Sequence, residues 1–402
     1  MGYSPVIKMA VFVRMTDSTQ GSIHDALVLP YLNHAIRMLE SGYATATDID
    51  NAMRFGCGYP KGPLTTVDEL GASVVRDALL ARFEESGDNL HKPADLLTKT
   101  ADEGGSFTAA DGDDAQAPQL RHTIEKIGVV GTGTMASGIV QVFAQVGFDV
   151  VFVGRSQEKL DAVVAGITKA LDKAIAKGRS DEETKTAVLG RLTGSTSRED
   201  LAQADLIVEG IAEDLDIKTQ LFTDLDRIAK PGAILATTTS SMPITELAKV
   251  TSRPADVIGM HFFNPAPIMK LVEVVTTDLT SPEVDETVRA LSTAVKKVPV
   301  SCGDRSGFIV NALLFPYLND AVKFHESGVA IDEINAAIKE TAGLPMGPFE
   351  LLDVVGNDVS LAIQTELRNE FGEPGFEPAA LLAQKVEEGK LGRKTGEGFH
   401  TY

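Results

Sequence analysis

The stretch that most restricts the fold is residues 124–155, IEKIGVVGTGTMASGIVQVFAQVGFDVVFVGR. It reads as a strand, a tight glycine turn, a helix and a second strand, the βαβ unit in which a helix joins two parallel strands. Ile127, Val129 and Val130 supply a buried first strand, and Ile139, Val142, Phe143 and Val146 recur at helical spacing after the turn. The turn itself, Gly131-Thr132-Gly133-Thr134-Met135-Ala136, has the pattern G-x-G-x-x-A. Gly131 permits the sharp bend, Gly133 lets backbone N–H groups approach a pyrophosphate, and Ala136 with Gly138 lets the helix lie close on the strand. The free N–H groups and positive dipole end of that helix then face the phosphates. Residues 131–136 are therefore the candidate dinucleotide-binding turn.

The end of the second strand bears on which dinucleotide is held. An Asp or Glu about 20 residues beyond the glycine turn accepts hydrogen bonds from the adenosine ribose 2′-hydroxyl and repels a 2′-phosphate. Gly154 stands there, followed by Arg155 and Ser156. A guanidinium and a hydroxyl beside a glycine suit a 2′-phosphate, because arginine holds phosphate through charge-assisted, often bidentate hydrogen bonds. This reading favours NADP(H). The alternative is a solvated Arg155 with NAD(H) used instead.

A chain of 402 residues is too long for one ordinary core and implies two or three domains. After the first unit, strands LIVEGIA (206–212), AILATTT (233–239), VIGMHFF (257–263) and KLVEVVTT (270–277) follow, with helices over about 157–178 and 216–229. Such alternation predicts a Rossmann-like, doubly wound α/β sheet over 124–302. The ends of the chain match each other. Pro30-Tyr31-Leu32-Asn33 recurs as Pro316-Tyr317-Leu318-Asn319, and GYPKGPLTTVDELG (58–71) as GLPMGPFELLDVVG (343–356). The sheet domain is thus flanked by two homologous all-α domains, residues 1–98, a degenerate copy, and residues 303–402. Residues 99–123 lack apolar periodicity and are rich in Gly, Ala, Asp and Thr, which predicts a flexible linker.

The formal net charge of −20 and pI near 4.8 argue against nucleic acid or an anionic membrane surface as a partner. An anionic substrate therefore needs its own local basic patch. Cys57 and Cys302 fit no metal-ligand spacing, and no apolar run of about 18 residues or signal peptide is visible. A soluble cytoplasmic protein with reduced thiols is expected.

Ligands of doubly wound sheets bind at the carboxyl ends of the strands, which draws attention to Glu213, Ser240 and His261. Glu273 lies among Leu271, Val272, Val274 and Val275, and a carboxylate in such a run is rarely buried without a partner. A Glu–His pair beside a nicotinamide has a use: the imidazole takes an alcohol proton as hydride leaves the same carbon, and the carboxylate orients the imidazolium. A strand-edge glutamate facing water is the other reading of Glu273. Ser240 or Ser241 is equally suited to cap the helix that Pro243 opens.

GVVGTGTMASGI, TTTSSMPIT, GMHFFNPAPIMKLVEVV, SGFIVNALLFPYLN, GLPMGPFELLD and LGRKTGEGF, in this order and spacing, resemble the 3-hydroxyacyl-CoA dehydrogenase family. The resemblance covers nearly all of 124–402, and 17–97 resembles the family's C-terminal helical domain again. It implies an oxidoreductase acting at C3 of a 3-hydroxyacyl-CoA, of the 3-hydroxybutyryl-CoA type, with His261 as general acid/base and Glu273 as its partner. Ser240 and Asn311 would position the substrate. Glu213, Lys218 and Asn264 would lie near the nicotinamide and its ribose, Lys394 would reach the cofactor from the tail, and Lys177 would meet the CoA phosphates. Two positions depart from the pattern: Ala170 replaces a serine that accompanies Lys177, and Thr238 replaces an asparagine. Dehydrogenases of free 3-hydroxy acids and non-catalytic crystallins also resemble this family. The former use a lysine on the helix where Asn311 stands, and the latter do not need an intact Ser240, His261, Glu273 and Asn311. The resemblance also implies that helical domains pair across a homodimer, so the first copy is expected to pack on 303–402 within the chain or across a dimer. Its Asp25 aligns with Asn311, which implies no catalytic role of its own.

Overall fold

The computed structural model describes residues 19–108 and 117–402. The chain divides into two units: a helical one made of Met1–Asp113 and Arg305–Tyr402, and a sheet unit, Asp114–Asp304.

The first copy begins with α1 (Thr19–Glu40), α2 (Ala46–Gly56), α3 (Pro63–Leu70) and α4 (Ala72–Ser86) and ends with α5 (Asp95–Glu103). Their limits follow local chemistry. Thr45 caps α2 by accepting from the Asp48 amide, Pro63 opens α3, and left-handed glycines, Gly87 and Gly104, stop α4 and α5.

Here the expected linker of 99–123 needs correction at both ends. Helix α5 continues to Glu103 with Leu97 and Thr100 buried. Beyond it Asp68 accepts four hydrogen bonds, from Ser106 Oγ, Phe107 N, Thr108 N and Thr108 Oγ1, at 2.7–3.0 Å. A single carboxylate and one buried ring, Phe107, hold a stretch whose composition reads as unstructured. Arg121 is likewise tied down, by an ion pair to Glu286 and by its amide to Thr287 Oγ1. Residues 109–116 of the expected linker lie outside the described residues.

The sheet unit runs β1 (Lys126–Val130), α6 (Thr134–Gln145), β2 (Asp149–Val153), α7 (Gln157–Ala176), α8 (Glu182–Gly190), β3 (Leu192–Ser195), β4 (Leu206–Glu209) and α9 (Leu215–Ile228). It continues with β5 (Ile234–Thr237), α10 (Ile244–Lys249), β6 (Val257–Phe262), β7 (Leu271–Thr276), α11 (Pro282–Ala294) and β8 (Val298–Gly303). The strand order is β3-β2-β1-β4-β5-β6-β7-β8, with the chain reversing its direction of travel across the sheet between β1 and β4. Neighbours are parallel except β6 and β7, which run antiparallel. The expected doubly wound sheet is present. Its two edge strands escaped the sequence reading: β3 is four residues with little buried surface, and β8 carries Pro299, which only an edge tolerates. Val129, Phe143, Phe152, Val208, Ile234 and Met260 lie in one buried cluster between sheet and helices.

The second copy consists of α12 (Val310–Glu326), α13 (Ile331–Thr341), α14 (Pro348–Val355), α15 (Asn357–Phe371) and α16 (Ala380–Glu387). It repeats the anchoring hydrogen bonds of the first. Asn33 accepts from the Ala94 amide at 2.9 Å and Asn319 from that of Ala379 at 2.8 Å. Glu40 accepts from Leu96 N, and Glu326 from Leu381 N. Asp68 holds Phe107 N and Thr108 N as Asp353 holds Phe399 N and His400 N. Gly62 and Gly347 are forced in each copy, because a Cβ would come within 2.0 Å of Asp50 in one and 2.3 Å of Asn335 in the other. The first copy therefore keeps its own version of the tail, in place of the acidic linker read from the sequence. Helix α1 packs on α12 and α13, with the Tyr31 and Tyr317 rings 6.0 Å apart, so the two copies pair within one chain. Among the described residues no helix is long and apolar enough to cross a membrane.

Asn33 and Asn319 are nearly inaccessible and each satisfies backbone groups on both sides of its amide. Asn33→Ala and Asn319→Ala should each cost about 2–3 kcal/mol in urea unfolding, since buried donors and acceptors lose their partners. A loss below about 0.5 kcal/mol in either would contradict the shared anchoring.

Candidate active site

Strand β1 delivers the chain into Gly131, whose φ of +132° and position 2.4 Å from the Gly210 carbonyl oxygen, measured from an added Cβ, admit no side chain. Gly210 follows β4, so the turn sits where the chain reverses across the sheet, the place such sheets use for ligands. Gly133 precedes α6 without any side-chain cap, and no atom lies within 4 Å of where its Cβ would be. The helix thus opens with uncapped first-turn N–H groups, and Gly133 and Thr134 at its start are exposed while Ala136 is buried. A pyrophosphate fits these donors.

At the end of β2, Gly154 is packed against the same turn: an added Cβ would stand 2.6 Å from Thr132 Cγ2 and 3.0 Å from Leu160 Cδ2. A side chain at that position would have to displace those of Thr132 and Leu160. Ser156 caps α7, accepting from the Lys159 amide at 3.4 Å. Arg155 is exposed.

His261 occupies the fifth position of β6, and the antiparallel register with β7 sets Glu273 directly opposite it. The Nδ1–Oε2 distance is 2.6 Å, His261 is 8% exposed and Glu273 is fully buried. A carboxylate held this way accepts the Nδ1 proton and leaves Nε2 as the basic nitrogen of the neutral ring. The ring lies 4.7 Å from that of Phe263. Glu273 is thus an inward-facing partner rather than a water-facing edge residue.

A second charged cluster joins β4, α9 and β5. Lys218, 1% exposed, donates to both carboxylate oxygens of Glu209 at 2.8 Å and pairs with Glu213 at 3.0 Å. Glu209 also accepts from Thr237 Oγ1 and the Ile211 amide. Glu213 in turn accepts from the Ser240 amide at 2.9 Å, with Ser240 Oγ at 3.5 Å. Ser240 and Ser241 do not cap α10. Asp304 does, accepting from the Ile244 and Thr245 amides at 3.0 and 2.7 Å. Lys297 donates to the Ala266 and Met269 carbonyls and so braces the loop that carries Asn264; burial pushes its ammonium below the ordinary lysine range. Among the described residues no group of acidic, histidine and cysteine side chains has the arrangement of a metal site.

Residues 126–305 match the family model of the 3-hydroxyacyl-CoA dehydrogenase NAD binding domain, and residues 21–113 and 307–402 each match that of the 3-hydroxyacyl-CoA dehydrogenase C-terminal domain. The chain belongs to the 3-hydroxyacyl-CoA dehydrogenase family. A 3-hydroxybutyryl-CoA dehydrogenase of Clostridioides difficile is 47% identical over 278 residues, covering 69% of this chain and 99% of the relative. One from Mycobacterium tuberculosis is 41% identical over 290 residues, 70% of this chain and all of the relative. Among solved structures, FadB2 of M. tuberculosis superposes with a TM-score of 0.67 at 40% identity, covering 70% of this chain and 99% of that one. The 3-hydroxybutyryl-CoA dehydrogenase of Escherichia coli gives 0.68 at 39%, covering 69% of this chain and 60% of that one.

For a 3-hydroxyacyl-CoA dehydrogenase fold, the expected residues fall into two groups. His261, Glu273, Ser240, Glu213, Lys218, Asn264, Arg155, Ser156 and Lys177 belong to the sheet unit; Asn311 and Lys394 belong to the helical unit. Asn311 opens α12 and is nearly buried, and Lys394 forms an ion pair with Asp358. Lys177 ends α7 and lines a cleft of about 510 Å³ with Lys173, Arg179 and Ala170, reaching Thr134 and Ser137 of the glycine-turn helix. The sequence reading missed Glu209, Lys297 and Asp304. Glu209 was open to the argument that singled out Glu273, a lone carboxylate in an apolar strand.

Removing the cation leaves the fully buried Glu209 carboxylate with its hydrogen bonds but without its counter-charge, and with Glu213 as a like-charged neighbour. Lys218→Met should therefore lower unfolding free energy by about 3–5 kcal/mol in chemical denaturation. A loss under about 1 kcal/mol would mean that Glu209 and Glu213 are held by something else.

Proposed function

We propose that the protein transfers a hydride between NADP(H) and C3 of a short-chain 3-hydroxyacyl-CoA, interconverting 3-hydroxybutyryl-CoA and acetoacetyl-CoA. The observation that carries this reading is the buried His261–Glu273 pair, in the same unit as an open, uncapped glycine turn. The names of the relatives support the substrate class.

When bound, the nicotinamide takes up or gives the hydride at C3. His261 Nε2 receives the 3-hydroxyl proton in the oxidation direction and returns it in reduction. Glu273 fixes the tautomer and compensates the charge that appears on the ring. Ser240 donates toward the developing charge on the 3-oxygen and is oriented by Glu213; Asn311 donates to the thioester region. Lys177, with Lys173 and Arg179, supplies the basic patch that a CoA phosphate needs in so acidic a chain, and offsets the serine lost at Ala170. Asn264 and Lys218 serve the nicotinamide end, and Lys394 the cofactor from the tail.

His261→Ala should lower kcat about 10²–10⁴-fold and leave cofactor binding nearly intact, with Glu273→Gln milder. Stopped-flow turnover and cofactor titration of the same preparations check this; near-normal turnover in His261→Ala removes the mechanism. Equal activity on free 3-hydroxybutyrate and on its CoA ester would instead support a free-acid dehydrogenase, and no turnover of either a crystallin-like role.

Gly154 supplies no carboxylate for the ribose 2′-hydroxyl, and the exposed Arg155 beside it supports a 2′-phosphate. Arg155→Ala should weaken NADPH by about 1.5–3 kcal/mol, the scale of a hydrogen bond to a charged group, and barely alter NADH. A wild-type kcat/KM higher with NADH than with NADPH, or an equal loss for both in the variant, refutes the assignment.

A further inference from the structure

One stripe of α6 stays out of the core. Ile139, Val140, Val142 and Phe143 are buried against the sheet, while Thr134, Ser137, Gly138 and Gln141, spaced i, i+3, i+4 and i+7, line the cleft of about 510 Å³ beside α7. Helix α7 presents to that cleft a residue without bulk at every fourth position: Ala162, Gly166, Ala170 and Ala174. Gly166 stands in mid-helix, where glycine is a poor helix former, and no atom lies within 4 Å of where its Cβ would be. The missing side chain keeps a groove open. A further wall is Pro265, Pro267 and Ile268, on the loop that follows the strand of His261, and Ile268 is 74% exposed. The cleft therefore runs between that loop and the cations Lys173, Lys177 and Arg179, in and beyond the last turn of α7.

Gln141 is 8% exposed, yet among the described residues its amide has no hydrogen-bond partner. The amide keeps accessible surface, and that surface opens on the cleft. Buried polar groups are nearly always paired, and this one offers two donors and an acceptor. It stands two turns, about 10 Å, along α6 from the helix start, so a pyrophosphate on the first-turn N–H groups does not reach it. The partner it calls for is a neutral group that both donates and accepts, in a groove that ends in positive charge.

We propose that Gln141 reads the pantetheine arm of the acyl-CoA, exchanging hydrogen bonds with one of its two amides, with Gly166 and Ala170 on one side of the arm and Ile268 on another. The inference rests on the reading that the substrate is a CoA ester: an arm tethered by its phosphate at the cations and by its thioester near His261 crosses this cleft. Pantetheine has the matching chemistry, two secondary amides joined by short aliphatic segments. Gln141 is thus a specificity residue and takes no part in the chemical step.

The test compares kcat/KM for acetoacetyl-CoA, acetoacetyl-pantetheine and S-methyl acetothioacetate, a thioester without the arm, in the full-length wild type, Gln141→Leu and Gly166→Leu. Gln141→Leu should lower the ratio of acetoacetyl-CoA to the methyl thioester about 5–50-fold, through KM and not kcat, with the same loss for acetoacetyl-pantetheine. Gly166→Leu fills the groove at a position where leucine favours the helix, and should lower the ratio at least tenfold. An unchanged ratio in either variant, or an equal loss on all three substrates, overturns the proposal. So does a loss confined to acetoacetyl-CoA, which puts the contact on the nucleotide end. Calorimetric titration with CoA separates this from the broader reading. A wild type that binds no CoA ends the CoA reading and the groove assignment together; CoA binding that both variants leave intact ends the groove assignment alone.

Discussion

Glu273 has no exposed surface, and a carboxylate in that position needs a partner, which the register of β6 against β7 supplies by placing His261 directly opposite it. That register is thus the feature on which the site depends. Through it a 2.6 Å contact forms between two side chains whose own strands are locked by the core, so the imidazole is aimed before any substrate arrives.

The same principle recurs at β4. Glu209 is buried, Lys218 neutralises it, and Glu213 extends the chain of contacts to Ser240. Charges that would be costly alone are paired and hydrogen-bonded, and the pairing places polar groups at the carboxyl ends of adjacent strands. The helical unit shows a different economy. Two copies of one domain repeat the same side-chain-to-backbone anchors, and their long helices cover each other within a single chain. The copies differ where Asn311 of one aligns with Asp25 of the other, which is instead hydrogen-bonded to His24.

Much of this was legible in the sequence. The glycine turn, the main strands and the matching ends of the chain announce themselves through periodicity and repetition, and Glu273 through its presence in an apolar run. What escaped depends on contacts distant in sequence. The tail of the first copy reads as linker because its order comes from one carboxylate, Asp68, about forty residues earlier. A cap of α10 by Ser240 or Ser241 was one of two open readings, while Asp304, sixty residues on, provides it. Strand β3 is too short and too exposed to carry a pattern, and the direction of β7 relative to β6 is not encoded in either strand's own alternation.

The central claim is that one proton on His261, steadied by Glu273, travels with the hydride. The most direct measurement is the pH dependence of kcat/KM in both directions, oxidation of 3-hydroxybutyryl-CoA and reduction of acetoacetyl-CoA, for the wild type and Glu273→Gln. The account predicts mirror-image profiles governed by one ionisation: oxidation gains as the imidazole loses its proton, reduction loses by the same step, and both profiles move to lower pH in Glu273→Gln. Profiles that run the same way in both directions, or that do not move in the variant, would contradict it.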